Sequence, residues 1–465
     1  MEWKNFFAWI PEVKSPDEKK LSFNVKLKWT LIVLAAFFIL ANVPLFGLSS
    51  SALDRFEYLA IILGTDFGSI ISLGIGPIVM GSIILQLLTG SGIVNIDTNT
   101  DEGKKFFQGI QKILVFFFII FESLVYVLMR GLEAAPGLKG IVIFQLVLGG
   151  LAIYYMNELS EKWGFGSGVS LFIGAGVSWR LMTSAFQFIN AQGKNCLVDF
   201  GNTACSGKVL LLIQSIINRY PTEFVSAFAA LVMTILIFLA VVWAQSLKVE
   251  IPLSYGRIRG YGVKWPLSFF YSSVIPVILV AALIANIQLF GGMLENWLGH
   301  ATFLGHFVNG RAVSGLGFWL DSQNILELII RGGFLSRYLV QAITHIFFFV
   351  VLSTLFSVFW VKTSGMDSKA QAKRIASSGL QVAGFRQDIR VLESILDRYI
   401  MPLTVMGGAA IGLLASFTDL MGALVKGTAI LLVIMIMFQF YQNIAKQHME
   451  DMNPAIKKFM GSALK

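Results

Sequence analysis

Apolar runs of about twenty residues recur ten times along the 465-residue chain, at 29–48, 70–89, 110–129, 140–156, 169–188, 223–245, 267–290, 338–361, 400–418 and 427–445. A helix needs about that many apolar residues to cross the hydrocarbon core of a bilayer. The pattern predicts an all-α polytopic membrane protein with ten transmembrane helices. One stretch departs from it. Residues 48–63 read as helical but carry Asp54, Arg55 and Glu57. Gly64-Thr65-Asp66-Phe67-Gly68 then reads as a loop, and the apolar run resumes at Ile70, with Leu73-Gly74-Ile75-Gly76-Pro77-Ile78-Val79-Met80 inside it. Backbone groups freed at membrane depth must be satisfied by protein or water, so a helix broken in this way lines a cavity or pathway. The charged first piece, about four turns long, predicts a short amphipathic helix folded back toward the middle of the protein.

Composition agrees. A soluble chain carries about a quarter charged residues; this one carries 14%, with 56% hydrophobic residues and a mean hydropathy of +0.73. Residues 1–28 are mixed and charged and lack a signal-peptide pattern, so the first span is expected to be retained. With the N-terminus inside, most of the 36 Lys and Arg fall in the N-tail, the C-tail and the loops on that side. Positive residues mark the cytoplasmic face, so both termini are expected there, and the net charge of +9 is largely this topology signal. Ten spans divide at a long external loop (191–221) into halves 1–220 and 221–465. Five spans reverse direction, which is the parity of an inverted repeat. Cys196 and Cys205 share that external loop. An oxidising compartment would let them pair as a disulfide; two free thiols are the alternative.

Two cytoplasmic loops stand out, 247–266 and 362–398. The first places Arg257 and Arg259 on a hairpin tip. The second carries Lys373, Arg374 and Arg386, with a short basic helix expected within Asp367–Gln381. Both loops mark topology, and both suit an anionic partner through bidentate and stacking contacts of Arg. Catalytic chemistry is missing from the sequence. It has no G-x-x-x-x-G-K-[ST] and no H-E-x-x-H, and its four His are scattered, so neither an enzyme, a cofactor nor a metal is expected. Ionisable residues within spans are few; Glu122 is the clearest, with Arg180 and His345 next. An ion-coupled secondary transporter with discontinuous helices, the alternative function, would need more of them at the midplane.

Several stretches carry a resemblance that runs essentially end to end. They are Ile10-Pro11-Glu12-Val13, Lys26-Leu27-Lys28-Trp29-Thr30, Leu73 to Val79, Gly166-Ser167-Gly168 with Leu171-Phe172-Ile173, and Val249-Glu250-Ile251-Pro252-Leu253. Further on come Ile275-Pro276-Val277-Ile278, Ala285-Asn286-Ile287-Gln288-Leu289, Ala372-Lys373-Arg374-Ile375 and Pro402-Leu403-Thr404. The chain resembles the SecY family, the large subunits of the Sec translocon, in its archaeal form. The resemblance implies a passive protein-conducting channel of the plasma membrane with an aliphatic ring at its waist, matched by Ile75, Val79, Val169, Ile173, Ile278 and Leu432. It implies a plug at about 50–63. It also implies a lateral gate whose polar cluster is matched by Glu122 and Asn286, with Met80 where a hydroxyl residue is common. Arg257, Arg259, Lys373, Arg374 and Arg386 would dock a ribosome. SecE (the gamma type) and a beta-type subunit would complete a heterotrimer. Nascent polypeptides and their signal sequences would be the cargo, and the lipid bilayer would receive released segments.

Overall fold

The computed structural model describes residues 11–18, 21–48, 68–90, 93–94, 96, 100–129, 131–132, 134–188, 195–196, 198, 205–255, 262–272, 274–308, 311–333, 336–377, 380–382 and 389–451. The helices are α1 (Phe23–Ala41), α2 (Gly76–Gly90), α3 (Asp101–Leu128), α4 (Lys139–Trp163), α5 (Gly168–Phe186), α6 (Lys208–Asn218), α7 (Pro221–Gln245), α8 (Ile275–Leu298), α9 (Gly315–Leu320), α10 (Ile325–Ile330), α11 (Ser336–Thr363), α12 (Ser368–Ser377), α13 (Ile389–Leu420) and α14 (Gly427–Asp451). Strands β1 (Lys248–Tyr255), β2 (Gly262–Ser268) and β5 (Leu380–Val382) form one antiparallel sheet in the order β2-β1-β5, and β3 (His306–Val308) pairs with β4 (Arg311–Ser314).

Among the described residues, nine helices are long and apolar enough to span a membrane: α1, α3, α4, α5, α7, α8, α11, α13 and α14. The tenth predicted span, 70–89, is α2, which has only 15 residues. Its first part is not helical. Ser72, Gly74 and Gly76 donate their amides to Ser69, Ile71 and Leu73, a run of tight turns. Gly74 has φ +55°, a left-handed backbone that glycine adopts without steric cost. Other predicted boundaries also move. The first span, expected at 29–48, runs from Phe23 and stops at Ala41, just ahead of Pro44. The seventh, expected from 267, begins at Ile275, because Val263 to Ser268 pair with β1. The predicted plug, 50–63, lies outside the described residues.

The chain forms two compact units. One takes in the segments up to Ile78, Ile119–Trp179 and from Val433 onward; the other takes in Val79–Phe118 and Arg180–Leu432. In the first unit, α1 packs on α4. Phe37 of α1 stacks on Phe172 at 4.8 Å between centroids, and Trp29 lies 5.7 Å from Trp163. Gly149 and Gly150 let α4 approach the backbone of Ile70 and the side chain of Ile119. In the second unit, Gly408 and Gly412, one turn apart on α13, face Ser357 and Ser353 of α11. Small residues at such a seam let membrane helices pack backbone to backbone. Beneath the three-stranded sheet lies a core of Ile251, Leu267, Tyr271, Val361, Ile375 and Leu396, joined by their neighbours.

Candidate channel residues

The break before α2 is held by its own hydrogen bonds. Ser72 Oγ accepts the Gly68 amide at 2.8 Å and donates to Ser69 O at 2.5 Å. The Ile70 amide donates to Val43 O at 2.9 Å, and the Leu45 amide to Gly68 O at 2.8 Å. These bonds answer the requirement that non-helical backbone at membrane depth be satisfied within protein. They fix Ile75 at the last turn before α2. Ile75 is buried, as is Val79 in the first turn of α2.

The other four aliphatic candidates also sit near helix starts. Val169 and Ile173 lie one turn apart at the beginning of α5. That beginning is set by Asn157 of α4, whose Oδ1 accepts the Val169 amide at 2.9 Å. A side chain supplying an acceptor to an orphan helix amide is an N-cap provided from another element. Ile278 lies in the first turn of α8, which opens with Pro276, and Leu432 in the second turn of α14. Ile173, Ile278 and Leu432 are buried, and Val169 is half-buried.

Glu122, on α3, is 1% exposed. A Cβ on Gly76 would sit 3.1 Å from its Oε2, so the carboxylate lies against the first residue of α2. Its Oε1 has no hydrogen-bond partner among the described residues. Asn286 is buried and donates Nδ2 to Ala282 O of its own helix at 3.0 Å. Met80 is half-buried and contributes a thioether, which hydrogen-bonds weakly.

His345 belongs to a polar cluster that sequence reading did not assemble. Its Nδ1 lies 2.7 Å from Leu320 O, and its Nε2 lies 3.8 Å from Asp419 Oδ2. Asp419 Oδ1 accepts the Thr428 amide at 2.6 Å, and Lys426 reaches Asp321 at 3.3 Å. These residues come from the C-terminal ends of α9 and α13, the start of α14 and the third turn of α11. Each looks isolated in sequence, and only the helix packing gathers them.

The two basic loops prove to be one module. β5, from the second loop, pairs with β1, from the first, with Leu253 opposite Val382. Lys373 and Arg374 are exposed on α12, while Ala372 and Ile375 of the same helix are buried. Arg257, Arg259 and Arg386 lie outside the described residues. The Tyr271 hydroxyl donates to Met366 O at 2.6 Å, and burial, reinforced by the charge of Asp367, pushes it up to about 12. Asp367 precedes α12, and its carboxyl is raised above the ordinary value by burial, against the pull of its own and the Ala370 amides. Cys196 and Cys205 are joined by a disulfide, with Cα atoms 5.3 Å apart.

These features define a multi-pass α-helical membrane protein with an interrupted second span and a sheet-and-helix module built from two inter-helix loops. Comparison with known proteins narrows the class. The SecY family profile matches residues 69–441, and that for the plug domain of Sec61p matches residues 36–68. The chain is 39% identical to protein translocase subunit SecY of Methanothermobacter thermautotrophicus, over 99% of this chain and 98% of that one. It is 38% identical to the Methanocaldococcus jannaschii protein of the same name, over 97% of each. A solved protein-conducting channel superposes with a TM-score of 0.81 at 36% identity, covering 97% of this chain and 98% of that one. Sec61 in the canine ribosome–channel complex from the endoplasmic reticulum gives 0.78 at 36% identity over the same shares. The chain belongs to the SecY family of protein translocase subunits. That membership removes the secondary-transporter reading.

Proposed function

We propose that this chain forms the pore of a plasma-membrane translocon, passing unfolded polypeptides outward and releasing apolar segments sideways into lipid. The observation that carries the reading is the burial of five of six branched aliphatic side chains, each at or just before the start of a helix. Such side chains make a soft constriction with no fixed polar partner, so any sequence can slide past, and the constriction closes by excluding water. Residues 50–63 act as the plug. Met80, Glu122 and Asn286 line the lateral gate, where a signal sequence is tested against lipid. The docking surface for the ribosome comprises Arg257, Arg259, Lys373, Arg374 and Arg386, whose charges meet RNA phosphates. SecE and a beta-type subunit complete the heterotrimer, and both termini are cytoplasmic.

Site-specific disulfide crosslinking tests the reading. Single cysteines replace Ile278 or Leu432 in a background lacking Cys196 and Cys205, and a ribosome-stalled secretory chain carries one cysteine. Crosslinks from both positions are expected. A correctly targeted chain that crosslinks at neither would overturn the waist assignment.

A further inference from the structure

The segment between α5 and α7 reads from sequence as an aqueous external loop, yet its helix α6 is inside out for water. Its polar Gln214 and Ser215 are buried, while Ile213, Ile216 and Ile217 are 46%, 58% and 63% exposed, and Tyr220 just beyond is 59% exposed. The three isoleucines fall at i, i+3 and i+4, a single helical stripe. The buried face is fastened by hydrogen bonds: Gln214 Oε1 accepts the Cys205 amide at 3.0 Å, and Ser215 O accepts the Tyr220 amide at 3.0 Å. A helix in water buries its apolar side and exposes its polar one, so water does not account for this stripe.

The neighbours indicate what covers it. α7 packs on α6 and exposes Val225 and Phe228 in its first two turns, the beginning of the lipid-facing side of a 25-residue span. On the other flank, the chain leaving α5 exposes Phe186 and Phe188. α6 starts against that end of α5. The Gly207 amide donates to Gln187 O at 2.8 Å, and a Cβ on Gly207 would lie 2.7 Å from Gln187 N. Both elements that meet α6, the chain leaving α5 and the start of α7, thus expose apolar side chains of their own. At 11 residues, about 16 Å, α6 is too short to span. Lys208 begins it, and the left-handed Arg219 ends it.

We propose that α6 lies in the membrane boundary as a monotopic anchor between two spans, with Ile213, Ile216 and Ile217 among lipid acyl chains and Gln214 and Ser215 against protein. It sits on the side that the charge pattern assigns to the outside. The test places benzoylphenylalanine in turn at Ile213, Ile216, Ile217 and the exposed control Ser206. Each variant is assembled into the full complex and reconstituted in phosphatidylcholine–phosphatidylglycerol vesicles, then illuminated and analysed by mass spectrometry. Lipid adducts at the three isoleucine positions, several-fold above Ser206, are expected. Adducts to a companion subunit in their place would make the stripe a protein interface and overturn the proposal. Lipid yields no higher than at Ser206 would overturn it too, by placing α6 in water.

Discussion

Replacing Gly149 with alanine probes the contact that positions the interrupted helix. A Cβ there would lie 1.8 Å from Ile70 O, where ordinary contact begins at 3.4 Å, so one backbone must yield by about 1.6 Å. Ile70 has little room to retreat, because its amide is held by Val43 O and the adjacent Leu45 amide by Gly68 O. Overpacking costs about 1–3 kcal/mol. Losing those two hydrogen bonds costs about 1 kcal/mol each, and alanine returns about 1 kcal/mol of helix propensity. The net destabilisation is about 2–4 kcal/mol. Two glycines on the same helix calibrate it. A Cβ on Gly150 would meet Ile119 Cγ2 at 2.8 Å, a side chain that can turn away, and Gly140 has nothing within 4 Å. Melting midpoints of the purified complexes should rank Gly140→Ala at or above the native protein, Gly150→Ala below it and Gly149→Ala lowest. The turns from Ile70 lead to Ile75, so the Gly149 variant should also leak ions at rest in planar bilayers. A Gly149→Ala complex that melts with the native protein would refute the reasoning.

Lys373→Ala with Arg374→Ala should weaken ribosome binding and flatten its salt dependence by up to about one unit of log–log slope per lost phosphate contact, measured by co-sedimentation across a salt series; an unchanged slope would remove α12 from the docking surface. Met80→Thr should tighten discrimination against weak signal sequences, seen as reduced translocation of weak-signal substrates beside unchanged strong-signal ones; equal translocation of both would sink the idea. Asp367→Asn should raise the melting midpoint near neutral pH. A carboxyl whose folded pKa is raised binds its proton more tightly folded than unfolded, so its ionisation opposes folding, and that penalty fades as pH falls through the folded pKa. The midpoints of native and Asp367→Asn proteins should therefore converge on acidification, and a gap that widens would contradict the burial of Asp367.

How far the fold is legible in the sequence depends on what each signal measures. Nine spans are plain because hydropathy reports which residues can face lipid, and the break is plain because Asp54, Arg55 and Glu57 cannot. The length of α2 is not, since Ile70 to Ile75 are as apolar in turns as in a helix, and hydropathy carries no backbone geometry. The start of α8 fails for the same reason: Leu267-Ser268-Phe269-Phe270 reads as the beginning of a span, but Leu267 and Ser268 lie in a strand paired to β1. The joining of the two basic loops through Leu253 and Val382, and the gathering of His345, Asp419 and Asp321, are pairings between distant segments that no local pattern encodes. Individual candidates such as Ile75 and Leu432 were reachable only through family resemblance, because an aliphatic residue in a span has the same local signature whether it packs or lines a path.

The case of α6 shows what would have helped. Its periodicity is visible in Lys208–Asn218, but the sign of its amphipathicity is not, because a stripe of isoleucines points inward in water and outward in lipid. Only the burial of Gln214 and Ser215 fixes that sign. For short helices beside membrane spans, the buried polar residue is therefore more diagnostic than the exposed apolar one. An exposed isoleucine is ordinary in either solvent, whereas a polar side chain turned away from water needs a partner within the protein, as Gln214 has in the Cys205 amide.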